Sequence, residues 1–425
     1  MPKTPETKFV NSLFLTNLIQ SQFGESEIKI KAYDVEPATA EINDPYARSS
    51  MNRILVKYVS RENPVENAIT FVAKIKPVEG QLAEEFKKSD VFDKEIFAYK
   101  NVLPKLVTVI SKLGGAVELA PQLIYSSDVP SNLMVLEDLT VRGYSVENQQ
   151  LGLNLEQSKM AIEKLAFFHA ASAVLIDENP EDYTKFAKGT FHADYKDKLK
   201  YFSDALTAVV DNASELGIDS NVATKLKTLP IKTIQKAIDS YGSDFYGLKV
   251  LNHGDFWTNN IMYKYKNNEL VDAIFVDYQN CVIGSPIIDL TYFLTSSPAY
   301  DVLEESKDAL IYTYYETLSL LLQRLNYKKP VPTLVDLQVE LYKHGALEVI
   351  FSLTTAPFLR TKHAQNTPAV QPSLYKDDKK VDIKPILKEH ASAIVKQLKD
   401  YELRGLLDWG AAESKIKSLM GRFQR

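Results

Sequence analysis

Cysteine is almost absent from this sequence: Cys281 is the only one in 425 residues. A single cysteine cannot form an intramolecular disulfide, which fits a reducing compartment. Because Cys281 stands beside Val282 and Ile283, we expect a packed thiol, not a nucleophile. The chain also lacks a run of 18 uninterrupted apolar residues, and residues 1–8 contain no apolar signal segment. We therefore expect a cytoplasmic protein without a membrane span.

Several motifs that would indicate other chemistries are missing. No glycine is followed by lysine, which excludes a Walker A motif, and neither GxGxxG nor GxSxG occurs. The six histidines are scattered without ligand spacing, so a zinc site is not expected. The net charge of −5, from 50 basic and 55 acidic residues, gives no basic surplus for nucleic acid or an anionic membrane.

The most informative stretch runs from residue 251 to residue 279. Two apolar runs, at 261–265 and 270–276, are separated by the polar residues 266–268, and this pattern predicts a β-hairpin. Asp255 and Asn260 precede the first strand, and Asp277 follows the second. We therefore expect the hairpin to bring these three side chains close together.

Carboxylate and amide oxygens are suitable ligands for Mg²⁺, which takes one or two carboxylates together with substrate phosphates. An aspartate, an asparagine five residues later and a further aspartate after a hairpin repeat the base, amide ligand and carboxylate ligand of kinase catalytic loops. The pattern predicts phosphoryl transfer with Asp255 as the catalytic base and Asn260 and Asp277 as metal ligands. His253 is a rival base, since its ordinary pKa lies nearer neutrality. A loose transition state needs only a weak base, which favours Asp255.

These motifs also carry a resemblance. His253-Gly254-Asp255 with Asn260, followed by Val276-Asp277-Tyr278, resembles the aminoglycoside phosphotransferase and choline kinase group of the protein kinase-like superfamily. The whole pattern resembles more closely the ecdysteroid kinase-like (CHK kinase-like) family. The segments 136–139, 165–170 and 284–290 fall in that family's order, and the resemblance covers roughly residues 30 to 360.

The resemblance implies an α+β, bilobal protein kinase-like fold with a small β-rich N-lobe and a larger, mostly helical C-lobe. Residues 1–139 would form the nucleotide-binding lobe, with a hinge at about 136–140. Residues 140–425 would carry the catalytic loop and the acceptor site, with helices predicted at 306–324, 334–353 and 386–403.

The implied cofactors are ATP and Mg²⁺, and the implied acceptor is a hydroxyl of a small molecule, with an ecdysteroid or similar steroid alcohol favoured. A choline-like or aminoglycoside-like kinase and a non-catalytic nucleotide-binding pseudokinase scaffold are the alternatives. Neither nucleic acid nor a membrane is an expected partner.

In the N-lobe, residues 72–75 look like the strand whose lysine holds the α and β phosphates. Lys74 is the candidate, and Lys76 is the competing register. Glu95, on a helix predicted at 92–103, would pair with that lysine. Glu137 and Leu139 would bind adenine through their main chain.

His253 and Asp289 are expected to support the catalytic loop, and one loop departs from the family pattern. By resemblance Asp289 holds the loop backbone, with a second-metal role left open, and His169 is expected to be a core histidine. Residues 41–50, where the phosphate-covering loop is expected, contain no glycine, and Pro45 lacks a backbone donor. This departure favours the scaffold alternative. An enzyme is favoured by the presence of all five kinase-type side chains: Lys74, Glu95, Asp255, Asn260 and Asp277.

Overall fold

A computed structural model describes residues 9–38, 50–76, 90–127, 133–227, 229–361, 375–376, 379–380 and 382–408. Residues 41–49 of the predicted phosphate-covering loop therefore lie outside the described residues. The chain divides into two compact units. The first comprises residues 1–146 and 262–280, and the second comprises residues 147–261 and 281–425. The lobe boundary placed at about residue 140 stays a prediction.

The strands, in chain order, have the following bounds: β1 Lys29–Pro37, β2 Ser50–Val59, β3 Asn67–Ile75, β4 Leu123–Ser127, β5 Leu133–Glu137, β6 Tyr144–Val146, β7 Val250–Asn252, β8 Ile261–Lys266, β9 Glu269–Phe275, β10 Val282–Gly284, β11 Tyr375–Lys376 and β12 Lys379–Lys380.

The α-helices, in chain order, have the following bounds: α1 Ser12–Phe23, α2 Val91–Phe97, α3 Leu103–Ser111, α4 Leu155–Glu178, α5 Lys196–Asp211, α6 Ser220–Leu226, α7 Leu229–Tyr241, α8 Ile287–Ser296, α9 Tyr300–Arg324, α10 Leu334–Lys343, α11 Gly345–Ile350, α12 Ala356–Arg360, α13 Lys384–Glu389 and α14 Ala391–Leu403. Two π-helical turns, Ala98–Val102 and Phe351–Thr355, join α2 to α3 and α11 to α12. No helix among the described residues is long and apolar enough to cross a membrane.

The first unit is built on an antiparallel sheet in the order β1-β2-β3-β5-β4. Helix α1 covers one face, and the core between them includes Leu15, Ile19, Phe71 and Ala73. Because side chains alternate along a strand, the buried Ala73 on this face puts Lys74 on the opposite one. The position of Lys74 therefore follows from the alternation of apolar residues in β3.

The predicted hairpin is present as β8 and β9, which form a three-stranded sheet with β6. Its turn residues Asn267 and Asn268 have φ of 52° and 67°. Two successive positive φ angles are typical of the type I′ turn, and asparagine tolerates them better than most residues. The turn thereby fixes the register of β9, and with it the position of Asp277, which follows that strand.

The second unit is mostly helical, and its long helix α4 begins at a capping motif. The Asn154 side chain accepts from the Gln157 N–H, and the Gln157 side chain accepts from the Asn154 N–H, which is a capping box. Helix α9 packs against α4. Strand β7, which pairs with β10, also packs against α4, and its Leu251 N–H donates to Ser172 Oγ. That bond fixes the strand that leads into the catalytic loop.

Two helices predicted as continuous are interrupted. The segment predicted at 334–353 is α10 and α11 followed by a π turn, because His344 leaves the helical conformation and Gly345 packs against Leu406 where a Cβ would stand 2.6 Å from Leu406 Cδ2. The segment predicted at 386–403 is likewise divided at His390. The predicted fold class is nevertheless confirmed: an antiparallel sheet in the N-terminal unit and a larger, mostly helical unit.

Candidate active site

A buried charge cluster lies in the first unit. The Lys74 Nζ atom is 2.6 Å from Glu95 Oε2 and 2.8 Å from Asp277 Oδ1. The side chains of Lys74 and Glu95 are 4% and 1% exposed, whereas that of Asp277 is 29% exposed. The structure thus brings together three predicted residues that are up to 203 positions apart in the chain. Lys76, the competing register, lies just beyond the end of β3.

Each member of the cluster is fixed by the element that carries it. Lys74 is held in β3 between Met51 and Met134 of the neighbouring strands. Asp277 follows β9 with φ of 68°, a left-handed conformation that aspartate adopts more readily than most residues. Its second oxygen, Oδ2, accepts a hydrogen bond from Gln279 Nε2 at 3.1 Å. The sequence patterns gave no signal for this role of Gln279.

The charges of the cluster shift one another's proton affinity. Burial alone would lower the pKa of Lys74, but the Asp277 and Glu95 carboxylates outweigh it and raise that pKa above its ordinary value. Lys74 therefore stays protonated. Burial raises the pKa of Glu95 to about 7, with the Asp277 charge acting in the same direction and Lys74 opposing it. The cluster therefore holds a fixed positive charge at Lys74, flanked by the Glu95 and Asp277 carboxylates.

The segment predicted to bind adenine is rigidly held. The Glu137 N–H donates to the Gln122 carbonyl at 2.9 Å, so its own main-chain donor is engaged. The Asp138 carboxylate binds Arg53 Nε at 2.8 Å and accepts from the Thr140 N–H at 3.1 Å. Leu139, which is buried, begins the following 3₁₀ turn. Base recognition by the Glu137 carbonyl and the Leu139 N–H stays a prediction.

The catalytic loop lies in the second unit, between β7 and β8. Asp255 Oδ1 accepts a hydrogen bond from the Tyr292 hydroxyl at 2.9 Å. Asn260 Nδ2 donates to the Asp255 main-chain carbonyl at 2.8 Å. The first contact orients the carboxylate, and the second orients the amide so that its Oδ1 atom faces away from the loop backbone. Tyr292 is a functional contact that sequence reasoning missed.

Asp289 holds the backbone of this loop, as expected. Its fully buried carboxylate accepts from the His253 N–H at 2.5 Å and the Gly254 N–H at 2.8 Å. Gly254 has φ of 77°, so the loop turns here through a conformation that favours glycine. The carboxylate also lies 3.2 Å from His169 Nε2.

His169 is a core histidine, as predicted. Its Nδ1 atom is 2.7 Å from the Tyr314 hydroxyl, so both ring nitrogens are within hydrogen-bond distance of a partner. Burial lowers the pKa of His169 even though Asp289 opposes the shift. The neutral imidazole therefore braces Asp289 from the side opposite the loop.

The candidate metal ligands are oxygen atoms of one carboxylate, Asp277, and one amide, Asn260. Among the described residues no group of three His, Cys, Asp or Glu side chains could hold a metal ion. Mg²⁺ at a phosphoryl-transfer site does not need such a group, because substrate phosphates and water complete its coordination. The donor types therefore fit magnesium.

The fold belongs to the protein kinase-like class. The chain belongs to the ecdysteroid kinase-like family, whose model matches residues 44–327. This confirms the family predicted from the motifs.

Solved structures show similarity at low identity. An ethanolamine kinase of Plasmodium vivax is 12% identical, with 86% of this chain and 85% of that chain covered and a TM-score of 0.38. The GDP and kanamycin complex of APH(2″)-IIia is 15% identical, with coverages of 91% and 99% and a TM-score of 0.36. The aminoglycoside phosphotransferase APH(3″)-Id of Streptomyces rimosus, with ADP and streptomycin, is 12% identical, with coverages of 75% and 100% and a TM-score of 0.32. A comparison with curated proteins gives no significant match.

Proposed function

We propose that this protein transfers the γ-phosphoryl group of ATP to a hydroxyl of a small molecule. The observation that carries the proposal is the Lys74 ammonium held between Glu95 and Asp277. A buried lysine kept charged by two carboxylates is suited to hold phosphate oxygens, and kinases use the same three residue types for this purpose. Family membership supports the same class of reaction.

In the proposed reaction Asp255 orients the acceptor hydroxyl and takes its proton. The hydroxyl oxygen forms a bond to the γ-phosphorus while the bond from that phosphorus to the bridging oxygen breaks, which leaves ADP. Lys74 binds the α and β phosphates, and Glu95 fixes the ammonium in place. The Tyr292 hydroxyl keeps one Asp255 oxygen engaged, so that the other is directed to the acceptor.

Asn260 and Asp277 are the proposed magnesium ligands. Mg²⁺ bound there would neutralise phosphate charge. The protein's own contribution is to fix the two donor oxygens: Asn260 through its bond to the Asp255 carbonyl, and Asp277 through Lys74 and Gln279.

For the acceptor we propose an alcohol on an apolar, steroid-like skeleton. Phe351, in the second π turn, packs edge to face on Tyr292 with ring centroids 4.8 Å apart, so apolar surface reaches the residue that touches Asp255. An apolar acceptor needs aromatic and aliphatic lining with a few polar anchors. Phe351 and Phe358 are themselves buried in the core, where they stabilise this region.

The experiment is an ATP turnover assay with mass-spectrometric detection of the phosphorylated product, using steroid alcohols, choline and aminoglycosides as acceptors. Asp255→Asn should lower kcat by roughly 10²- to 10⁴-fold, the usual contribution of general base catalysis. The matched control is Asp239→Asn on the exposed face of α7, where the carboxylate accepts a hydrogen bond from Gln235; this variant should leave kcat unchanged.

Wild-type turnover by Asp255→Asn would refute the assignment of the base. Nucleotide binding by the wild type without any phosphorylated product would instead favour the scaffold alternative.

A further inference from the structure

A buried arginine lies in the second unit, beyond the part of the chain that the family model matches. Arg360, the last residue of α12, is 3% exposed. Its Nη2 atom donates to the Pro298 carbonyl at 2.7 Å, and its guanidinium lies over the Tyr300 ring at 4.5 Å. The Nε atom is buried without a hydrogen-bond partner, and no carboxylate among the described residues lies within ion-pair distance. A buried charge without a counter-ion is strongly unfavourable, so it requires a functional explanation.

A second unpaired nitrogen flanks the same tyrosine. His390 Nδ1 is 3.5 Å from the Tyr300 hydroxyl, and His390 Nε2 is buried without a partner. If the tyrosine hydroxyl donates to Nδ1, the ring proton is on Nε2, which then becomes a donor. Burial lowers the pKa of His390, with Glu389 opposing, so the ring is neutral at neutral pH. Two buried nitrogens near Tyr300, the charged Arg360 Nε and the neutral His390 Nε2, thus lack an acceptor.

The neighbouring carboxylate does not fill this role. Glu389 Oε2 accepts a hydrogen bond from Thr361 Oγ1 at 2.6 Å, and its charge acts on His390 and Tyr300. It forms no ion pair with Arg360 among the described contacts. Among the described residues, the Arg360 guanidinium therefore has no carboxylate within ion-pair distance.

The cluster is connected to the catalytic loop through α8. Pro298, which binds Arg360, lies two residues after α8, whereas Tyr292, which binds Asp255, lies within it. Pro298 lies six positions after Tyr292, which corresponds to a separation along the chain on the order of 10 Å at the rise of a helix. A multi-ring alcohol has a length of the same order.

We propose that Arg360 and His390 form an anion-binding subsite for a sulfate, phosphate or carboxylate group carried by the acceptor. The acceptor is then an anionic conjugate of an alcohol, and the subsite rests on the proposed phosphotransferase function. A guanidinium fork with one imidazole N–H suits an oxyanion, because charged donors make short, strong hydrogen bonds to it. The ligand would supply acceptors for the two buried nitrogens, Arg360 Nε and His390 Nε2, that lack a hydrogen-bond partner.

The first test measures binding of inorganic sulfate to the full chain by calorimetry, with chloride at equal ionic strength as the reference. Wild type should bind sulfate, and Arg360→Met, which keeps the hydrocarbon length, should bind it roughly tenfold or more weakly. Arg61→Met is the matched control, since Arg61 is 71% exposed and should not alter binding.

Further variants keep the test decisive if Arg360→Met does not fold. Arg360→Lys should retain part of the affinity because it keeps the charge, and His390→Gln should weaken binding on its own. Equal sulfate affinity in wild type and these variants, or no sulfate binding by the wild type, would overturn the subsite.

The second test compares a steroid alcohol with its sulfate conjugate as acceptor. In wild type the conjugate should have the lower KM, and in Arg360→Met the two KM values should converge with kcat little changed. Sulfate binding without any phosphorylation would support the subsite and refute the proposed function. Phosphorylation without sulfate binding would refute the subsite alone. Sulfate binding without preference for the conjugate would show that the anion is free and overturn its assignment to the acceptor.

Discussion

Replacing Asp289 with asparagine tests how the catalytic loop is held. The substitution keeps the size of the side chain, so the packing around this fully buried position is unchanged. It removes the charge and turns one acceptor oxygen into a donor. Because the N–H groups of His253 and Gly254 each point at a different carboxylate oxygen, one of them must then face an amide N–H.

The magnitude follows from these contacts. A hydrogen bond to a charged group is worth about 1.5–3 kcal/mol, and a buried N–H left without an acceptor costs about 1–3 kcal/mol. We therefore expect Asp289→Asn to lower the free energy of unfolding by about 3–5 kcal/mol. Since a displacement of the loop by about 1 Å misaligns Asp255, kcat should fall about 10²-fold.

The assay is urea unfolding followed by tryptophan fluorescence, to which Trp257, two residues from Asp255, and Trp409 contribute, together with steady-state kinetics. Asp301→Asn, on the exposed first turn of α9, is the control and should change neither quantity. A loss of less than about 0.5 kcal/mol with unchanged kcat would refute the reasoning, because surface substitutions already reach that size.

Two further predictions concern other contacts. Tyr292→Phe removes the hydroxyl that donates to Asp255, so kcat should fall roughly tenfold or more while the KM for ATP is unchanged. Glu348, on α11, is bound by Lys307 and Arg404, which outweigh burial and hold its pKa below the ordinary value of 4.5. A lowered carboxylate pKa stabilises the fold above pH 4.5 and ceases to do so as the pH falls through the lowered pKa. Glu348→Gln should therefore cost about 1–3 kcal/mol at pH 7, since both partners are partly exposed, and progressively less below pH 4.5.

Each of these has a matched control. Tyr312→Phe removes an exposed hydroxyl that donates to Glu316 and should leave kcat unchanged; equal turnover of Tyr292→Phe and wild type would contradict the positioning role. For Glu348 the control is Glu316→Gln, on an exposed face of α9. A stability difference at Glu348 that stays constant from pH 7 to pH 3 would contradict the ion-pair explanation.

The elements that are easiest to predict from a sequence are those fixed by neighbouring residues. Asn11 caps α1 by accepting from the Phe14 N–H, and Asn154 caps α4, both within three positions along the chain. The hairpin was likewise predictable, because its two apolar runs flank Asn267 and Asn268 directly. Local signals of this kind need no knowledge of the tertiary structure.

The Lys74 register and the Glu95 partner were predictable for a different reason. Both positions belong to an ordered set of motifs, and the order identified the strand and the helix before any contact was known. The structure places Lys74 within hydrogen-bond distance of Glu95 and Asp277. The roles of Asp255, Asn260 and Asp277 in catalysis stay predictions.

Contacts that depend on distant elements left no trace in the sequence. Tyr292 is 37 positions from Asp255, and Arg360 is 62 positions from Pro298. A tyrosine in an apolar helix and an arginine at a helix end both have ordinary surroundings in sequence. Their partners are set by how α8 and α12 pack, which apolar periodicity does not specify.

The π turn Phe351–Thr355 has a consequence for insertions and deletions. A π turn accommodates one residue more than an α-helix, and each helical residue rotates the following side chains by about 100°. The extra residue therefore sets the angle about the helix axis between the Phe351 and Arg360 side chains. Phe351 packs on Tyr292, and Arg360 lies over Tyr300. Loss of one residue there would turn one of these two side chains away from its partner. The number of residues in the π turn, more than the identity of any one of them, allows both contacts to form at the same time.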